Sequence, residues 1–77
     1  MLKEILERLV KAIVDKPEDI KINELNGQSV FIFELRVGSG DLGKLIGKHG
    51  QNIQAIRTIL NSASAKIGKR VRIEILE

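Results

Sequence analysis

Seventy-seven residues with 43% hydrophobic and 30% charged side chains make one small globular unit, in which folding buries about 60% of the chain's surface. That leaves room for one modest core and none for a second domain or a deep substrate cavity. The absence of cysteine excludes disulfides, thiolate metal sites and cysteine nucleophiles, and with no Tyr, no Trp and only Phe31 and Phe33 an aromatic nucleic-acid platform has little to build on.

The net charge is +3, but it is unevenly spread. Between Gly38 and Arg70 six bases (Lys44, Lys48, Arg57, Lys66, Lys69, Arg70) face the single acid Asp41, giving +5, and the remainder carries −2. Such a split points to an anionic partner for the middle of the chain, with a solvated basic helix face as the plain alternative. Apolar runs such as Val30 to Phe33 are far shorter than the ~20 residues of a membrane span, so no membrane association is expected. Acids in the first turn fit neither a signal nor a transit peptide, and the expected location is the cytoplasm.

In chain order, Leu2, Ile5, Leu6, Leu9, Val10, Ile13 and Val14 recur at helical spacing and predict an amphipathic helix over 2–14. Pro17 ends it in a turn over 15–19. Ile20, Ile22 and Leu25 begin a strand, and Asn26-Gly27 is the pair that tolerates positive φ in a tight hairpin. In the strand over 29–37, Phe31, Phe33, Leu35 and Val37 share the core face, and Val30, Ile32, Glu34 and Arg36 the other. Ser39 or Asp41 can cap a short helix holding Leu42, Leu45 and Ile46. Gly47-Lys48-His49-Gly50 interrupts the helical pattern. A longer helix follows over 51–66 with the stripe Ile53, Ile56, Leu60, Ala63, Ile67, and Gly68 is its left-handed stop. Residues 70–76 alternate, with Val71, Ile73 and Ile75 inward. The order is α-β-β-α-α-β, an α+β fold with three strands and three helices on one sheet face.

Five of the seven glycines lie between Gly38 and Gly50. Gly38-Ser39-Gly40-Asp41-Leu42-Gly43 matches the dinucleotide fingerprint, but the acid expected about 20 residues on would fall inside a helix, and Asp41 would repel a pyrophosphate. Gly38 to Lys44 also matches the start of a triphosphate loop, yet Leu45 stands where Ser or Thr must hold magnesium. The remaining reading uses Ile46 to Ile56: two helices joined by a glycine-bounded loop. Glycines let a sugar-phosphate chain approach the backbone, the second helix offers N–H groups to phosphate, and Lys44 and Lys48 add charge. Ile46, Ile53 and Ile56 can wall an apolar groove beside the loop.

These residues resemble the KH domain, whose Ile-Gly-x-x-Gly signature joins two helices. The whole chain, 1–77, resembles a single type II KH domain with its β-α-α-β core over about 29–76 and its loop at 47–50. Its length, the Lys16-Pro17-Glu18-Asp19 turn and the ending Lys69-Arg70-Val71 are similar to the small stand-alone bacterial KhpA family. The resemblance implies single-stranded RNA binding through Gly47, Lys48, His49 and Gly50, supported by Lys44, Ile46, Gln51 and Ile53, with the loop clamping about four nucleotides. It further implies RNA-chaperone activity, a homodimer or a heterodimer with a second, KhpB-like KH protein, and a role in cell shape and cell-wall biogenesis. It implies no cofactor.

Catalysis is not expected. One histidine without cysteine makes no zinc site, Asp41 reads as a cap, and Ser29, Ser39, Ser62 and Ser64 lack a partner base. Phe31 and Phe33 mimic a stacking pair, but Leu35 and Val37 continue their face into a core. The alternative to RNA binding is a protein-interaction module in which the same apolar groove packs a second chain, with outward-facing Val30 and Ile32 as further contact surface.

Overall fold

A computed structural model of the chain describes residues 1–76. It runs α1 (Leu2–Lys11), β1 (Lys21–Asn26), β2 (Val30–Arg36), α2 (Leu42–Ile46), α3 (Gln51–Ser64) and β3 (Arg70–Ile75). Single 3-10 turns occupy Pro17–Asp19, Lys48–Gly50 and Ala65–Ile67. The order is the one the periodicity predicts, with two long helices and a five-residue one.

The sheet order is β1-β2-β3, β1 antiparallel and β3 parallel to the central β2. A parallel pair needs a crossover, which α2 and α3 supply together. Alternation along the strands then sorts the sheet into two faces. Phe33 and Leu35 are fully buried, and their β3 register partners Ile73 and Ile75 lie on the same side, as does Val71 opposite Phe31. Onto this face pack Leu2, Leu6 and Val10 of α1, Leu45 of α2, and Ile53, Ile56 and Leu60 of α3. Burying one such side chain contributes about 1.5–3 kcal/mol. The other face carries no helix: Arg70, Arg72 and Glu74 are exposed on it, beside half-buried Val30 and Ile32.

Three local expectations need correction. Helix α1 ends at Lys11 instead of Val14; Val14 stays in the core through a turn whose N–H reaches Val10 O at 3.1 Å. The chain leaves the helix there because Asp41 accepts the N–H groups of Asp15 (3.2 Å) and Lys16 (2.9 Å), which a continuing helix would direct to its own carbonyls. Asn26-Gly27 forms no positive-φ hairpin turn. Asn26 continues β1 opposite Phe31, and the Gly27 N–H closes a longer turn on Val30 O at 2.8 Å. The α3 stripe continues from Leu60 to Ser64, not to Ala63 and Ile67. Ser64 is fully buried, its hydroxyl donating to Lys69 O at 2.8 Å, whereas Ala63 is exposed and Ile67 is 62% exposed. Gly68 is the expected left-handed stop, at φ 70°.

Candidate nucleic-acid interface

Helix α2 ends when Gly47 adopts φ 77°, ψ 172°, a backbone region open essentially to glycine alone. Lys48, His49 and Gly50 make one tight turn, with the Gly50 N–H donating to Gly47 O at 3.0 Å. Both His49 (φ 57°) and Gly50 (φ 74°) are left-handed, so the chain reverses and enters α3 at Gln51. Asn52 buttresses this turn: its side-chain amide donates to Lys44 O at 2.8 Å. A Cβ on Gly47 would come within 2.7 Å of Asn52 Cγ. Glycine at 47 is therefore demanded twice, by torsion and by space.

The result is a tight, hydrogen-bonded loop whose Lys48 and His49 side chains point outward. Lys48 and His49 are both exposed, and no carboxylate lies within salt-bridge distance of Lys48 among the described residues. Helix α3 starts after Gly50 without a side-chain cap; the Gln51 N–H is taken by Lys48 O, and the positive end of the helix dipole faces the loop. Gln51 is exposed at that helix start, and Ile46 is half-buried just before the loop. The arrangement offers an anion fixed positive charge, from Lys48 and from the α3 dipole.

The other expected site residues lie less favourably. Lys44 projects from α2 into an ion pair with Asp15, which spends its charge within the fold. Ile53 is 6% exposed and belongs to the core beneath the loop rather than to an open groove wall. Asp41 occupies the cap position of α2, but its carboxylate makes no cap hydrogen bond and holds the exit of α1 instead. The glycines before it serve packing and turning: a Cβ on Gly38 would sit 2.9 Å from Asp19 Oδ2, and Gly40 takes φ 86°. Phe31 and Phe33 stand 6.4 Å apart at 32°, with Phe33 fully buried and Lys69 Nζ 4.4 Å above Phe31, so neither is a stacking platform. Among the described residues no cluster of three or more His, Cys, Asp or Glu side chains could hold a metal ion.

Sequence reading passed over two residues that shape this region, Asn52 and Asn61. Asn61 reaches from α3 to strand β3, accepting the Val71 N–H at 2.9 Å and donating to Val71 O at 3.3 Å. Both are polar residues on otherwise amphipathic helix faces, and the only available signal was that asparagine readily bonds nearby backbone.

Two helices joined by a Gly-x-x-Gly turn, packed on a three-stranded sheet in the order α-β-β-α-α-β, define a type II KH domain. The family model described as "KhpA/KhpB, KH domain" matches residues 3–75, and the chain belongs to that family. Among curated relatives, the RNA-binding protein KhpA of Chlamydia trachomatis is 46% identical over 76 residues, 99% of this chain and 97% of that protein. The RNA-binding protein KhpA of Clostridium perfringens is 45% identical over 97% of this chain and 100% of its own length. The one from Aquifex aeolicus is 46% identical over 99% and 96%. Of solved structures, Aquifex aeolicus Era Y63A bound to GDP.AlF4- superposes with a TM-score of 0.67 at 20% identity over 96% of this chain. This chain spans 29% of that larger protein, and the likeness is one of fold.

Proposed function

We propose that residues 1–77 act as one KH unit that binds single-stranded RNA, the Gly47–Gly50 loop clamping the backbone of about four nucleotides. The observation that carries this is the loop itself: Gly47 and Gly50 hold positive φ, and exposed Lys48 and His49 stand over the uncapped start of α3. Relatives named RNA-binding proteins at about 45% identity over nearly the full length support the same reading. The contact set is Lys48, His49 and Gln51 with the two glycines, Ile46 at the margin; Lys44 and Ile53 contribute by holding the loop in place. The protein acts by binding, without catalysis and without a cofactor.

With few phosphates neutralised, one copy binds weakly, and a second KH chain on the same RNA raises avidity. The KhpA resemblance supports a homodimer or a KhpB-like partner, RNA-chaperone activity in the cytoplasm, and a role in cell shape and cell-wall biogenesis. Exposed Leu25, Ile59 (both 45%) and Ile67 supply apolar surface for such a partner and are what a protein-interaction reading would rest on. No helix among the described residues is long and apolar enough to cross a membrane.

The test is fluorescence anisotropy with labelled single-stranded RNA, comparing the wild type with Lys48→Asp/His49→Asp. Aspartate tolerates the left-handed backbone at position 49, so the fold should survive, as circular dichroism would verify. Loss of binding by a folded variant is expected. Equal binding by both proteins would overturn the assignment and favour the interaction module.

A further inference from the structure

Outside the loop, the chain has a second concave, positively charged feature. A hollow of about 550 Å³ is lined by Ser29, Val30, Asn61, Arg70, Val71 and Arg72. It wraps the outer edge of β3, where Asn61 reaches in from the helix side and Val30, Arg70 and Arg72 from the uncovered sheet face. No carboxylate lines it, and neither arginine has an acidic partner within 4 Å among the described residues. This contrasts with Lys44, whose charge is matched by Asp15.

The hollow is also preformed. Asn61 satisfies both the N–H and the C=O of Val71, so the strand edge at this point is closed to a further strand. The Arg70 N–H is fixed on Ser29 O at 3.0 Å, and Lys69 both covers Phe31 and donates to Gly27 O at 3.4 Å. What is left free is a pair of guanidinium groups beside a small apolar wall of Val30 and Val71. Guanidinium forks suit phosphate oxygens, and their planes suit an unstacked base.

Its position relates it to the loop. Asn61 lies eleven residues beyond Gly50 along α3, about 16 Å of helix rise. From there β3 runs back alongside α3 towards the loop end. A strand of RNA leaving the clamp along this edge passes Glu74 on the same sheet face and then reaches Arg72 and Arg70.

We propose that the Arg70–Arg72 hollow is a second RNA-backbone site, which engages nucleotides beyond those held by the Gly47–Gly50 loop. The proposal rests on the RNA-clamp reading of that loop and extends its footprint. Single-stranded RNA is favoured over a protein ligand because the lining is cationic and the adjacent strand edge is already plugged by Asn61.

The experiment is an RNA-length series, from about four to about ten nucleotides. It compares wild type, Lys48→Asp/His49→Asp and Arg70→Gln/Arg72→Gln, each also run by sedimentation. Glutamine keeps an apolar stem and a polar end, and circular dichroism would verify folding. The wild type should gain affinity beyond about four nucleotides. The arginine variant should lose that gain, bind long RNA on the order of ten-fold more weakly, and show a salt slope shallower by about 1.4, two contacts at about 0.7 each. Superimposable length curves for wild type and arginine variant would overturn the second site while leaving the clamp standing. A loop variant that binds like wild type overturns the clamp reading itself. An arginine variant with unchanged RNA binding but an altered sedimentation coefficient would assign the hollow to a protein contact, and no RNA binding by wild type at any length would remove both sites.

Discussion

Substituting the two glycines that bound the loop should have unequal costs, because their surroundings differ. At Gly47 an alanine must adopt φ 77°, ψ 172°, a strain of about 1–3 kcal/mol. Its Cβ would also meet Asn52 Cγ at 2.7 Å, so Asn52 must swing away and give up its bond to Lys44 O, a further ~1 kcal/mol. Together Gly47→Ala should cost about 2–4 kcal/mol, a large share of the roughly 4–12 kcal/mol expected for a chain this size. At Gly50 the backbone is ordinary left-handed helix and nothing lies within 4 Å of an added Cβ, so Gly50→Ala should cost only about 1–2 kcal/mol. Thermal unfolding should show Tm falling by roughly 10–20 °C and by roughly 5–10 °C respectively. A double variant Gly47→Ala/Asn52→Ala should be less destabilised than the two single changes combined, by about 1 kcal/mol, since the second removes the clash caused by the first. Equal melting of the two glycine variants, or strict additivity in the double, would refute the argument that Asn52 packs under Gly47.

Other expectations follow from the same contacts. Asp41→Asn should destabilise by about 1–3 kcal/mol in urea titration, because the Asp15 and Lys16 N–H groups lose a charged acceptor. Asn61→Ala should cost a similar ~1–3 kcal/mol and speed hydrogen exchange at the Val71 amide, which loses its only side-chain partner. Lys44→Ala should leave the salt dependence of RNA binding unchanged, since Asp15 already holds that ammonium, whereas Lys48→Ala should reduce the slope by about 0.7. Equal slopes for the two lysine variants would contradict the distinction between them.

The architecture was legible because period and punctuation agreed along the chain. Leu2, Leu6 and Val10 at helical spacing, the alternation from Phe31 to Leu35, and glycine at 47, 50 and 68 each report local backbone and burial, and each is where the periodicity puts it. What the sequence could not show are partnerships between residues far apart in the chain. Asp41 reads as a helix cap, and its position is right, but the groups it binds are 25 and 26 residues earlier. Lys44 reads as a phosphate contact until the fold brings Asp15 beside it. Ser64 lies in the core because Lys69 folds back to accept its hydroxyl, an arrangement invisible to a hydrophobicity count that prefers Ala63. The loop was the most readable part of the candidate interface. Its glycines encode their own torsions, and Lys48 and His49 between them are exposed.

The central claim is that the Gly47–Gly50 loop is where RNA sits. Titrating isotope-labelled protein with a single-stranded RNA of about four nucleotides, and following the backbone amides by NMR, tests it residue by residue. The account predicts the largest shifts at Lys48, His49, Gly50, Gln51 and Asn52, with the far ends of β1 and α1 unmoved. Shifts centred instead on Leu25, Val30 and Ile32, with a silent loop, would contradict it.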